Sequence, residues 1–144
     1  MLSQTSQYAI QAMIYLASRP GRMALNQEIA ERLDLPGSAL AKILMSLANA
    51  RLIESFRGRL GGFCLRPEGL GTTLMDILRL TEGPRFAQRC LLGLEEFYGE
   101  AQCPLRLRWS NISGDFVELL EQTTLAQLAR AMTRGEAGAD GPRI

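Results

Sequence analysis

NQEIAERLDLPGSALAKILMSLANARLIESFRGRLGGFCL, residues 26–65, changes its apolar period once, and that change decides the fold. Asn26 is placed to N-cap a short helix with Glu28 in its acidic first turn, and Leu35-Pro36-Gly37 ends it. A further helix opens at Ser38 and runs through Ala50, with Leu40, Ile43, Leu44 and Leu47 at i, i+3, i+4 and i+7. The pattern then becomes strand-like. Leu52 to Phe56 is one short run, Arg57 to Gly61 a Gly/Arg turn, and Gly62 to Leu65 a second run, which together read as a hairpin.

Upstream, Gln4 to Ser18 carries Ala9, Met13 and Leu16 at helical spacing, widened by Ile10 and Ile14, and Arg19-Pro20-Gly21-Arg22 stops it. Three helices followed by a two-stranded ribbon is the order of a winged helix–turn–helix, in a mainly α chain. Downstream, Thr72 to Leu80 predicts another helix, stopped by Glu82-Gly83-Pro84. Residues Arg85 to Gln102 have no clean period. From Cys103, Leu105, Trp109, Ile112, Phe116 and Leu119 alternate four and three apart, a heptad-like stripe suited to pairing with another helix. Gly114 lies inside that helix, and Leu125 with Leu128 predicts a short last one. The expected organisation is a winged DNA-binding domain over 1–66, a connecting helix over 67–83, a Cys-containing sensor loop over 84–102, a dimerisation helix region over 103–132 and a disordered tail over 133–144.

With 144 residues and 47% apolar content, the chain is large and apolar enough for one globular domain with a buried core. No apolar run approaches membrane-spanning length, so no membrane partner is expected. The first residues lack the charged start and continuous apolar block of a signal peptide, which predicts a cytoplasmic chain with reduced thiols. Histidine is absent, removing the Ser-His-Asp and Cys-His dyads, imidazole acid–base chemistry and His-ligated zinc. No paired carboxylates stand on one helix face, and the chain is read as a non-enzyme.

The net charge of +1 is unevenly spread. Residues 1–66 hold eight basic and four acidic residues, the remainder eight and eleven, so the winged half is basic and the other acidic. That is the distribution expected of a nucleic-acid binder with a separate sensing or dimerising half. If the apolar face of the 38–50 helix packs inward, Ser38, Ala39, Ala41, Lys42, Met45, Ser46 and Asn49 are left outside. Small residues at its start let the backbone approach the major groove, while Lys42 and Ser46 reach phosphates or base edges. Taken alone this is a solvated face; its place ahead of a basic hairpin directs the reading to double-stranded DNA. At the hairpin tip, Arg57 and Arg59 flank Gly58, and arginine at such a tip enters a narrow minor groove.

The stretches PGSALAKILMSLANARLIES, RGRLGGF, LMDILRLTEG and CPLRLRW together resemble the Rrf-two family of bacterial regulators, over about residues 1–130. The resemblance implies a homodimeric winged-helix repressor or activator, joined through its long C-terminal helix and matched to a palindromic operator. It also implies that Ser38, Ala39, Ala41 and Lys42 occupy major-groove positions, and Arg57 with Arg59 the minor-groove wing. Cluster-binding members carry three cysteines six or seven residues apart before the dimer helix. Here the first is Cys90 and the last Cys103, but the middle position is Phe97. Arg106 stands where some members have His, and Gln7 where some have an acidic ligand from the other subunit. A three-Cys [4Fe-4S] site is not supported.

Three uses of the pair fit this pattern. Pro104 marks a helix start that puts Cys103 at the N-cap, where the dipole with Arg106 and Arg89 favours a thiolate. A Cys90–Cys103 disulfide would then close a loop of roughly a dozen residues, constraining the unfolded chain by about 3 kcal/mol. Alternatively, Cys90 and Cys103 hold a [2Fe-2S] cluster completed by oxygen ligands such as Glu95 or Glu96. In the third reading there is no redox chemistry, and the regulator is constitutive or responds to a small molecule. Cys64, beside Phe63 and Leu65 in the second ribbon strand, reads as an inert core thiol.

Overall fold

The computed structural model describes residues 2–93 and 104–137. Helix α1 spans Gln4–Ala17, α2 Asn26–Leu33 and α3 Gly37–Asn49; β1 (Glu54–Phe56) and β2 (Gly62–Cys64) follow. After a 3-10 turn at Pro67–Gly71 come α4 (Leu74–Thr81), a second such turn at Phe86–Gln88, α5 (Arg106–Gln122) and α6 (Leu125–Ala137). The strands pair antiparallel, with Glu54 opposite Cys64 and Phe56 opposite Gly62. Three helices and a ribbon are therefore present in the expected order.

Each helix is set by its own pattern. Ala9, Ala12, Met13 and Leu16 of α1 are buried, as are Leu40, Ile43, Leu44 and Leu47 of α3. These meet Ile29 and Ala30 of α2 in one core with Ile53 and Leu65, which flank the ribbon strands. Thr73 caps α4, taking the Asp76 N–H on its hydroxyl while the Asp76 carboxylate takes the Thr73 N–H. Asn26 does not cap α2 as expected. It is the first helical residue, and its side-chain amide donates to the Gly37 carbonyl at 3.0 Å, fixing the start of α2 against that of α3. Glu28 completes the arrangement by accepting from the Leu25 N–H.

Two differences concern the C-terminal third. Helix α5 begins at Arg106 with Leu105 flanking it, so Cys103 is not its N-cap. The last helix continues to Ala137, beyond residue 132, where a tail was expected to take over. Leu125 and Ala129 in its first half are buried in the main core beside α1, which stabilises the helix from its inner face. The start of α6 is also clipped to the start of α4, with the Leu74 N–H on the Thr123 carbonyl and the Leu125 N–H on the Thr72 carbonyl. The main core thus includes Ile77, Leu125 and Ala129 from beyond residue 66. The division at 66 is one of charge and motif, and packing crosses it. A smaller apolar cluster joins Met75 and Leu78 of α4 to Leu120 of α5, with Phe116 and Val117 against it. Among the described residues no helix is long and apolar enough to cross a membrane.

Candidate nucleic-acid interface

Burial of four α3 residues turns the opposite face outward. Ser38, Lys42, Met45, Ser46 and Asn49 are exposed, while Ala39 and Ala41 are half-buried at its flanks. The turn ahead of α3 holds Asp34 in the left-handed region at φ 53°, where the Asp34 N–H reaches back to the Glu31 carbonyl. Helix α2 is held on α1 by a polar knot. Arg19 Nη1 lies 2.6 Å from Glu28 Oε1 and 2.7 Å from the Tyr15 hydroxyl, and its guanidinium stands 5.5 Å from the Tyr15 ring centre. The Arg19 hydrogen bond holds the Glu28 carboxyl below its ordinary range, and the same bond raises Arg19.

The wing projects beside α3. Arg57, Gly58, Arg59 and Leu60 are all exposed at its tip. Gly58 takes φ +101°, and the Gly61 N–H closes the turn on the Gly58 carbonyl at 3.0 Å. A Cβ at Gly61 would overlap the Phe56 carbonyl oxygen, and one at Gly62 would stand 2.7 Å from the Ala24 carbonyl oxygen. That close approach exists because Ala24 pairs with Phe63 as a third, one-residue strand, each N–H on the other's carbonyl at 2.8 Å. At the base, Arg66 pairs with Glu54 across the strands. Cys64 is buried, its thiol pushed up by that burial, and it faces Glu54.

Cys90 is half-buried just after the Phe86–Gln88 turn. Cys103, Glu95, Glu96 and Phe97 lie outside the described residues. A cluster needs a full ligand set around its irons. Among the described residues, no three His, Cys, Asp or Glu side chains are grouped to hold a metal. Cys90 is the one described member of the set expected to hold a cluster. Gln7 is exposed on α1, its amide donating to the Leu2 carbonyl.

Sequence reasoning missed a hydrogen-bonded chain leading from this loop to the winged core. The Trp109 indole N–H of α5 donates to the Arg89 carbonyl at 3.0 Å, and Arg89 Nη2 donates to the Glu82 carbonyl at 3.0 Å. The Glu82 carboxylate in turn accepts from the Ser6 hydroxyl at 2.6 Å and from the Ser3 N–H at 2.8 Å, at the start of α1. Those donors, the Ser6 bond foremost and the Arg89 charge in support, hold the Glu82 carboxyl below its ordinary range. No short-range pattern announces pairs separated by 76 and 79 positions.

The stripe on α5 is divided. Trp109 and Phe116 turn to their own chain, Phe116 against Met75 and Leu78. Leu105, Ile112 and Leu119, seven residues apart, face outward, with Ile112 and Leu119 at 59% and 60% exposure.

Residues 2–131 match the family Rrf2, described as iron-dependent transcriptional regulator. The chain belongs to the Rrf2 family. Among Rrf2 relatives, it is 32% identical over 136 residues to the HTH-type transcriptional regulator CymR of Bacillus subtilis, spanning 94% of this chain and 93% of that one. The solved structure of B. subtilis CymR, described as the global cysteine regulator, superposes with a TM-score of 0.73 at 31% identity, over 91% of this chain and 97% of that one. T. potens IscR superposes with a TM-score of 0.69 at 25% identity, over 99% and 93%. The oxidized form of Staphylococcus aureus CymR gives 0.66 at 29% identity, over 90% and 95%. Rrf2 membership makes this chain a DNA-binding transcriptional regulator of winged-helix fold and not an enzyme.

Proposed function

We propose that the protein acts as a homodimer that lays α3 in the major groove and the wing in the minor groove of a palindromic operator. Ser38, Ala39, Ala41, Lys42 and Ser46 approach base edges and phosphates, and Arg57 and Arg59, spaced by Gly58, enter the minor groove. The observation that carries this reading is the exposure of Ser38, Lys42 and Ser46 on α3 and of Arg57 and Arg59 at the wing tip, with the two elements held by the Asn26–Gly37 bond and the Ala24–Phe63 pairing. Arg57→Ala/Arg59→Ala protein should bind DNA more weakly, with the slope of log K against log salt reduced by about one for each phosphate no longer neutralised. Unchanged affinity and slope would remove the wing from the interface. The dimer reading rests on Leu105, Ile112 and Leu119, whose heptad spacing on an exposed face suits a second α5.

Cys90 and Cys103 supply the signal in this reading. Two thiols give up two protons and two electrons to a peroxide or a small disulfide and form one S–S bond. The resulting loop closure acts on Arg89, whose bonds to Trp109 and Glu82 lead to the start of α1. The solved oxidized form of a relative favours this use of the cysteines. The description of the family as iron-dependent favours a second reading, an atypical [2Fe-2S] site on the same cysteines. Anaerobic purification with an iron assay and visible spectrum separates the two. Operator binding by Cys90→Ser and Cys103→Ser proteins that is the same in oxidant and reductant, from preparations without iron, would leave a regulator without redox chemistry.

A further inference from the structure

Leu60 stands at the tip of the wing at 93% exposure, the most exposed large apolar side chain among the described residues. A single exposed leucine is ordinary on a protein surface. Three features set this one apart. The backbone does not call for it: neither Arg59 nor Leu60 has a positive φ, so the turn accepts any residue there. Its mounting is stiff, since Gly58 and Gly61 close the turn, Gly61 leaves no room for a Cβ, and Gly62 is pressed against Ala24. Its neighbours on that turn are the exposed Arg57 and Arg59. Two cations beside an apolar tip direct it toward a polyanion, and they oppose contact with the same tip of a second copy.

We propose that Leu60 is a minor-groove wedge: led in by Arg57 and Arg59, it inserts against a base step and partly unstacks it. This rests on the minor-groove reading of the wing given above. An apolar side chain reads no donor–acceptor pattern, so its selectivity comes from how easily the step opens. Pyrimidine–purine steps, TA and CA/TG, open most easily. The regulator then selects a deformable step at one offset from the operator centre in each half-site, at a position where it makes no hydrogen bond. A rigid hairpin suits the task, because a flexible tip would lose on ordering what insertion gains.

The test uses full-length protein and duplexes that the wild type enriches from a random-sequence library, with 2-aminopurine replacing adenines at the wing-facing steps. Wild-type binding should raise 2-aminopurine fluorescence at one pyrimidine–purine step per half-site, and replacing that step by AA should weaken binding. Leu60→Ala should bind about ten-fold more weakly, lose the fluorescence rise and discriminate no longer between the two steps. Its salt slope should stay at the wild-type value, since no phosphate-binding charge is removed, and Leu60→Met should retain the step preference. Equal affinity and step preference in Leu60→Ala, or fluorescence that never rises, would overturn the wedge; an intact effect of Arg57→Ala/Arg59→Ala on the salt slope would then leave the wing in the groove. Altered sedimentation of Leu60→Ala without DNA would overturn it in favour of a contact between copies. An unchanged salt slope for the arginine variant together with unchanged Leu60→Ala binding would refute the wing reading and the wedge together.

Discussion

Replacing Ser6 by alanine should weaken the fold and flatten its response to acid, although the residue belongs to α1 and not to α3 or the wing. Ser6 is fully enclosed, and its hydroxyl donates to Glu82 Oε1 at 2.6 Å while lying 3.1 Å from the Ser3 hydroxyl that donates to it. The Thr81 hydroxyl is a further neighbour at 2.6 Å. Alanine removes a hydrogen bond to a charged group, a loss of about 2 kcal/mol. With an unfolding entropy of about 2.1 cal/mol/K per residue, that is a fall in Tm of about 7 °C for a chain this size. Glu82 supplies the pH signature. Its folded pKa lies below its ordinary value of 4.5, so the associated stability is present above that value and is lost as pH falls through the folded pKa. Without the Ser6 donor the folded pKa moves back toward the ordinary value, and the gap between wild type and variant narrows as pH drops below about 4.5. Denaturant unfolding at pH 7 and at pH 3, on Ser6→Ala, Glu82→Gln and the double variant, measures both effects. A coupling of about 1–2 kcal/mol at pH 7, smaller at pH 3, is expected. Additive losses, or a gap that does not change with pH, would refute the placing of this bond.

The glycines give two predictions of opposite sign. Gly61→Ala should lower DNA affinity about ten-fold by displacing the wing turn, since backbone strain of this kind costs about 1–3 kcal/mol, while far-ultraviolet circular dichroism stays helical; unchanged affinity would show that the turn yields freely. Gly114→Ala should stabilise the protein by about 1 kcal/mol, because the added methyl meets open space on an exposed stretch of α5; a lower Tm would show that this face is covered. Ile112→Asp, on the outward seam, should shift sedimentation equilibrium toward the monomer and weaken operator binding with it, with monomeric wild type as the contrary result.

The alternation of apolar and polar residues in 26–65 determined the helix–turn–helix and its ribbon, because burial of Leu40, Ile43, Leu44 and Leu47 leaves one orientation for α3. The same logic placed Arg57 and Arg59 on a tip, since the Gly/Arg turn between the two strand-like runs holds two charged side chains that favour solvent. Local capping was less legible. Asn26 has the chemistry of an N-cap, but its amide serves a carbonyl 11 positions away. Likewise Pro104 is a sound helix-start signal, yet α5 begins two residues after it, with Leu105 as its N-cap.

What tertiary structure alone decided are the contacts between segments distant in sequence. Ala24 becomes a strand because Phe63 comes beside it, and that meeting makes Gly62 necessary. The last helix is anchored because Leu125 and Ala129 reach the core of α1, a partner more than a hundred positions away. The stripe on α5 looked uniform in sequence, and only the position of α4 separated Phe116, which faces Met75 and Leu78, from the outward seam of Ile112 and Leu119. Glu82 joins the start of α1 to the Cys90 loop through bonds whose donors and acceptors are common residues with no pattern among them. Periodicity records which face of an element is apolar. Which element covers that face, and which polar atoms meet when it does, is settled by the fold as a whole.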